Sequence, residues 1–224
     1  MPIIPHDMPK LESPFAREMI NGQYVVTPKI AEGYEWVFND DSVLATEKLD
    51  GTNVSIVIEN GTIASVWNRM NRLLFFSKGK KHIMEGLLES FDKGYCDLPD
   101  GQWFGELIGE KVNGNPLKIE GHLWVPFSTY AREHLAYKSW GKYPKTFDSI
   151  SQWFEKDLFS LFIRRRTGEI AFPEGIVFIQ PSTGKLDTKQ AAACFNNRMA
   201  KLRRDMFPWA KAQGLDIHKS LSEK

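Results

Sequence analysis

A chain of 224 residues that is 42% hydrophobic has enough apolar matter to bury a real core and reads as one domain over residues 1–224. Its 29 basic and 28 acidic residues leave a formal net charge of +1, which excludes a global field that draws the chain onto nucleic acid and confines any such binding to local patches. Two cysteines without metal-type spacing exclude a disulfide framework, and no apolar signal run or membrane-length segment occurs, so a soluble, cytoplasmic protein without a membrane partner is expected.

A loop-rich start from Pro2 to Pro14 leads to an extended segment at Tyr24–Thr27. Strands are expected at Val43–Leu49, Val54–Ile58 and Ile63–Trp67, the last two joined by Glu59-Asn60-Gly61-Thr62, whose Asn-Gly is a strong hairpin signal. Helical spacing over Ser77–Phe91 puts Ile83, Leu87, Leu88 and Phe91 on one face, and Trp103–Ile108 and Leu123–Phe127 read as further strands. A second helix is expected over Ser149–Ile163, with a broad apolar stripe of Ile150, Trp153, Phe154, Leu158, Leu161 and Phe162 that runs into Arg164-Arg165-Arg166. The continuous β-branched run Gly175–Ile179 predicts a buried strand, Asp187–Phe195 a helix start, and Met199–Asp205 a further alternating strand. Strands beside hairpin turns, without regular alternation with helices, point to an α+β fold of antiparallel sheets flanked by helices.

Lys48 lies in Glu47-Lys48-Leu49-Asp50-Gly51-Thr52-Asn53, which reads as an amine at the mouth of a hairpin. A lysine-x-aspartate-glycine run alone is weak, arising by chance in roughly one chain of this length in twenty. Its order with other motifs adds weight. Trp103-Phe104-Gly105-Glu106 ends an aromatic strand on an acid, Glu174-Gly175-Ile176-Val177-Phe178 opens a buried strand with another, and Lys201 and Arg203 lie two apart, on one face if extended.

In this order the set resembles the covalent nucleotidyltransferases, namely ATP-dependent DNA ligases, RNA ligases and messenger-RNA capping enzymes, over about residues 43–204. Lys48 to Asn53 looks like the nucleophile motif, Glu106 and Glu174 like the two later acidic motifs, and Lys201 with Arg203 like the last basic motif. Asn53 stands where DNA ligases and capping enzymes usually carry arginine, so the chain is most similar to ATP-dependent RNA ligases. The resemblance implies an adenylyltransferase domain that uses ATP and Mg²⁺ (or Mn²⁺) and forms a lysyl-AMP intermediate on Lys48. It implies that AMP then passes to a 5′-phosphate and an adjacent 3′-hydroxyl displaces it, on RNA or RNA/DNA ends.

The chemistry accounts for such a gathering. A lysine with an ordinary pKa of about 10.4 is neutral in only about one molecule in a thousand at pH 7.5, and nearby cations both favour the neutral amine and stabilise charge on phosphates. Lys201, Arg203 or a bound metal could fill that role. Glu174 is expected to hold the metal, as a hard cation prefers carboxylate oxygen, with Asp50 near metal-bound water. The resemblance implies that Glu106 fixes the ribose hydroxyls, and Glu47 is a candidate for the adenine amino group. Asn53 is assigned to the nucleotide and to the nucleic acid. The resemblance implies that an arginine here, Arg69 or Arg72, contacts ribose or the 5′-phosphate, with Arg69 preferred for the nucleotide and Arg72 for nucleic acid. The resemblance implies that an aromatic after Glu106, Phe127 or Trp124, stacks on adenine. Lys185 and Lys189 rival Lys201 and Arg203 as the last basic motif, but a helix start at Asp187 would separate them from a strand face. Lys78, Lys80 and Lys81, at a helix start where cations oppose the dipole, are candidate phosphate contacts, whereas the Arg164–Arg166 run suits a helix C-terminus.

After Arg204 only Asp205 to Lys224 remain, so no C-terminal oligonucleotide-binding (OB) domain is expected, and end recognition would come from this domain or from a protein partner. The reading is therefore a polynucleotide ligase for RNA. The alternatives are a minimal nick-sealing DNA ligase, or a nucleotide-dependent RNA-binding module that needs a partner for ligation.

Overall fold

The computed structural model describes residues 3–74, 78–181 and 198–212. Among the described residues ten strands occur in chain order: β1 (Phe15–Ile20), β2 (Gln23–Ile30), β3 (Leu44–Lys48), β4 (Thr52–Glu59), β5 (Thr62–Asn68), β6 (Asn71–Leu73), β7 (Gly101–Gly109), β8 (His122–Pro126), β9 (Gly175–Gln180) and β10 (Arg198–Arg203). The helices are α1 (Trp36–Asn39), α2 (Lys81–Asp92), α3 (Arg132–His134), α4 (Phe147–Gln152), α5 (Leu161–Thr167) and α6 (Pro208–Ala212). All the strand pairings are antiparallel, so the described residues form an α+β structure of antiparallel sheets and helices.

The chain divides into two compact units. The described part of the first comprises residues 3–9 and 50–133, and that of the second 10–49, 134–181 and 198–212. The first unit is built on a five-stranded sheet of order β6-β5-β4-β7-β8. Alternation along β4 and β7 sends Val54, Ile56, Ile58, Trp103 and Leu107 to one face, where they pack with Ile83 and Leu87 of α2. In the second unit, β3 and β10 flank β9 in a three-stranded sheet. Ala45, Ile176, Phe178, Ala200 and Leu202 line its inner face against Phe154, Leu158 and Phe207. Arg204 is buried in this unit, with its guanidinium 3.8 Å from the Phe172 ring centroid and donating to the Phe154 carbonyl.

Four expectations change. Lys48 is not at a hairpin mouth, because β3 pairs with β9 whereas β4 pairs with β5 and β7, and the chain passes from one unit to the other between Leu49 and Asp50. Gly51 serves close approach and not a turn, since a Cβ there would lie 2.3 Å from the Leu107 carbonyl oxygen. The helix expected over Ser149–Ile163 breaks at Leu158–Ser160, after a π-helical turn over Trp153–Asp157. Its apolar stripe is continuous, but Ser160 turns extended and its hydroxyl accepts from the Ile163 N–H at 3.0 Å, which starts a new helix. Arg164–Arg166 therefore occupy the last turn of the short α5. The strand expected over Leu123–Phe127 stops at Pro126, which cannot donate to a ladder, and Phe127 opens a π-helical turn.

Strand β1 lies in the stretch after the loop-rich start. It pairs with β2 through Asn21-Gly22, at φ +50° and +75°, the same left-handed pair that turns Asn60-Gly61. Lys185, Lys189 and the helix start expected at Asp187 lie outside the described residues.

Candidate active site

Register in the three-stranded sheet explains how distant motifs meet. Lys48 pairs with Gly175, and Gly175 with Arg203, so Lys48 and Arg203 flank a residue without a side chain. One step along, Thr46, Val177 and Lys201 form the next row on the same face. Gly175 is required here, because a Cβ would fall 2.1 Å from the Leu202 carbonyl oxygen. Glu174 immediately precedes this row, and its backbone carbonyl accepts from the Arg204 N–H at 3.0 Å.

Glu174 is the centre of the charge arrangement. Its Oε2 accepts from the Lys48 ammonium, and its Oε1 lies 3.8 Å from an Arg203 guanidinium nitrogen. Burial first, then the charges of Lys48 and Arg203, hold Lys201 below the ordinary lysine range, against the opposing pull of Glu12 and Glu174. Lys201 is further fixed by its backbone N–H, which donates to the Glu12 carbonyl at 2.9 Å. Lys48, Glu174, Lys201 and Arg203 are thus brought together by β3, β9 and β10. The arrangement couples a lysine amine to a carboxylate with two further cations at hand, which suits binding and transfer of a phosphoryl-type group.

Asp205 belongs to this set although the sequence did not single it out. Its Oδ2 accepts from Arg203 at 2.8 Å. Its Oδ1 and the Arg203 Nε are buried, with no hydrogen-bond partner among the described residues. The only sequence signal was an acid two positions after a strand cation.

Glu47 sits one residue from Lys48, so strand alternation turns it to the opposite, buried face beside Ile176. Its carboxylate accepts from the Ser160 hydroxyl and from the Phe162 N–H at 2.9 Å, at the start of α5. Desolvation pushes its pKa from 4.5 up to about 7, with those hydrogen bonds opposing.

The other candidate residues lie in the first unit. Asn53 and Glu106 are directly opposed across β4 and β7, so their side chains leave the sheet on one face, away from the core. Residues 6–8 meet that face. The Asn53 amide donates to the Met8 sulfur at 3.3 Å, and His6 exchanges hydrogen bonds of 3.0 and 2.9 Å with the Gln102 side chain. These contacts span 45 and 96 residues of sequence, so no local pattern announces them. Arg69 takes the left-handed position of the β5–β6 turn, at φ +56°, with a guanidinium nitrogen 3.7 Å from the Asp7 carboxylate. Arg72 is exposed on β6 opposite Trp67.

Asp50 accepts from the Asn113 side-chain amide at 2.8 Å. Trp124 is fully buried and donates from its indole to the Val54 carbonyl at 3.0 Å. Its ring faces the core, because its partner Leu107 does. Phe127, past the strand end, is only partly buried. Lys80 caps α2, Lys81 begins it and pairs with Glu85 at 3.0 Å, and Lys78 is exposed in the preceding turn. Among the described residues no group of three or more His, Cys, Asp and Glu is placed to hold a metal ion, and no helix is long and apolar enough to cross a membrane.

No protein-family model and no curated protein matches this chain. Solved structures do. A Naegleria gruberi RNA ligase mutant with ATP and Mn is 17% identical over 94% of this chain and 64% of that one, at a TM-score of 0.44. The Naegleria gruberi RNA ligase with PPi is 17% identical over 77% and 51%, at 0.42, and a mutant with AMP and Mn is 19% identical over 72% and 49%, at 0.37. This chain therefore spans less than two thirds of the length of each.

Proposed function

We propose that this chain is an ATP-dependent polynucleotide ligase that joins 5′-phosphate and 3′-hydroxyl ends of RNA, with Lys48 as the nucleophile. One observation carries the reading. Lys48, Glu174, Lys201 and Arg203, from three separate stretches of sequence and in the order of the nucleotidyltransferase motifs, converge on one face of the β3-β9-β10 sheet.

In the first step the Lys48 nitrogen, relieved of a proton, attacks the α-phosphorus of ATP. A nitrogen–phosphorus bond forms as the bond to pyrophosphate breaks. Glu174, already hydrogen-bonded to Lys48, holds the amine in place, and the proton leaves to water before the attack. Lys201 and Arg203 face the charge that builds on the phosphate oxygens. The adenylyl group then moves to a 5′-phosphate oxygen, which frees Lys48, and the 3′-hydroxyl displaces AMP. Mg²⁺ or Mn²⁺, when bound, would neutralise phosphate charge. Glu174 fits as its carboxylate ligand, because it already gathers two cations here and such ions need few protein oxygens beside phosphate and water.

In the first unit the reading assigns Glu106 to the ribose, Arg69 and Asn53 to the nucleotide and Phe127 to the base. Asp50 is assigned to metal-bound water, and Arg72, Lys78, Lys80 and Lys81 to nucleic-acid phosphates. Glu47 is assigned to anchoring α5 behind Lys48, since both of its oxygens are engaged there.

Incubation with α-labelled ATP and Mg²⁺ tests the reading. Label that survives denaturation, is lost in Lys48→Ala and is discharged onto 5′-phosphorylated RNA with joining is expected. Absence of label in the wild-type chain would refute the enzyme, and label that never yields joined ends would leave a nucleotide-dependent binding module.

A further inference from the structure

Beyond the Lys48 cluster, the second unit contains a pocket of about 540 Å³ formed by the loop over residues 139–145 and by α4 with the π-helical turn that follows it. None of Lys48, Glu174, Lys201 and Arg203 lines it. We propose that this pocket binds one nucleotide of single-stranded RNA, with the base on its aromatic wall and the phosphate at Lys145. The proposal rests on the ligase reading for its choice of RNA as the polymer.

Its volume lies in the range of small-ligand sites. Two walls are indoles, Trp140 and Trp153, whose rings lie within 25° of parallel with centroids 6.2 Å apart. Tyr143 stands at the pocket with 70% of its surface exposed. The two indoles lie against each other and Trp140 against Phe178, so the ring face left for a base is that of the exposed Tyr143, and stacking of a base on an aromatic face contributes about 1–3 kcal/mol without regard to sequence.

Lys145 supplies the cation. Its side chain is only 14% exposed, with the ammonium 5.4 Å from the Trp140 ring centroid and 3.3 Å from Asp41, whose own side chain is fully exposed. An ion pair with an exposed carboxylate is weak, so a phosphate can take its place at little cost. The Trp140 indole N–H is buried without a hydrogen-bond partner among the described residues. Gln152 and Asp157 add an amide and a carboxylate for a base edge. Only an unstacked base has a free face and edge to present, which selects a single strand over a duplex.

The test uses the full chain and a 5′-phosphorylated, fluorescent oligouridylate of about ten nucleotides, a length that covers one binding site. Lys145→Gln with Tyr143→Ala is expected to raise the Kd about tenfold, the loss of one stacked base, while label transfer from ATP to Lys48 proceeds as in the wild type and shows that the chain is folded. Tyr143→Ala alone, at an exposed position, is expected to raise it about fivefold, the low end of one stacked base. A wild-type chain that does not bind the oligonucleotide, or variants that bind as tightly as it does, would overturn the proposal. Retained RNA binding by both variants with loss of binding to a protein would reassign the pocket to a peptide. Absence of label on wild-type Lys48 refutes the ligase reading separately, whatever the pocket does.

Discussion

Replacing Glu47 by glutamine should change how the stability of the second unit depends on pH. Glu47 is 3% exposed, and desolvation raises its pKa from 4.5 to about 7 in the folded chain. Between those values the folded state keeps a proton that the unfolded state has released. Stability therefore falls as pH rises through this window and levels off above about 7. At about 1.4 kcal/mol for each pH unit, the fall attributable to this one carboxyl is about 3 kcal/mol.

Glutamine carries no such proton. Its carbonyl can accept from the Phe162 N–H while its amide donates to the Ser160 oxygen, so the contacts at the start of α5 survive. Urea denaturation followed by tryptophan fluorescence at pH 5, 6, 7 and 8 reads the effect. The stability of Glu47→Gln relative to the wild type should grow by about 2–3 kcal/mol from pH 5 to pH 8. A difference that stays constant to within about half a kcal/mol would show that the buried carboxyl ionises as freely as in the unfolded chain, and the desolvation argument would fail.

Further consequences concern the charge cluster and the cores. Asp205→Asn removes the charged partner of Arg203 and should slow label transfer to Lys48 about tenfold, the size of one charge-assisted hydrogen bond. Its urea midpoint should stay near that of the wild type, and a rate equal to the wild type's would show that Arg203 needs no such support. Gly175→Ala places a methyl 2.1 Å from the Leu202 carbonyl oxygen and should cost upwards of about 3 kcal/mol, read as a lowered Tm or loss of soluble protein. Trp124→Ala should destabilise the chain by about 3–5 kcal/mol, as expected for a fully buried indole. Phe127→Ala, at a partly buried position past the strand, should leave Tm nearly unchanged and weaken ATP binding. A reversal of those two outcomes would exchange the roles given to the two rings.

The amino-acid pattern alone yielded the strands with clean alternation, the Asn60-Gly61 hairpin, the helix α2 with Ile83 and Leu87 buried but Leu88 and Phe91 left exposed, and the order of the lysine, acid and cation motifs. Period-2 alternation alone was enough to put Lys201 and Arg203 on one face of β10. Those signals are local, set by which neighbours a backbone period brings to one side.

The rest depends on pairing between distant strands. Because β3 joins β9 and not β4, Lys48 faces Glu174 and Arg203, and Glu47 is turned behind it to hold the start of α5. The same carboxylate sits where the apolar stripe over Ser149–Ile163 gave no sign of a break, and residues 6–8 reached Asn53 and Gln102 across contacts no sequence window contains. Alternation fixes the face a side chain takes, but the charge it meets there is set by register, and register is a property of the folded sheet.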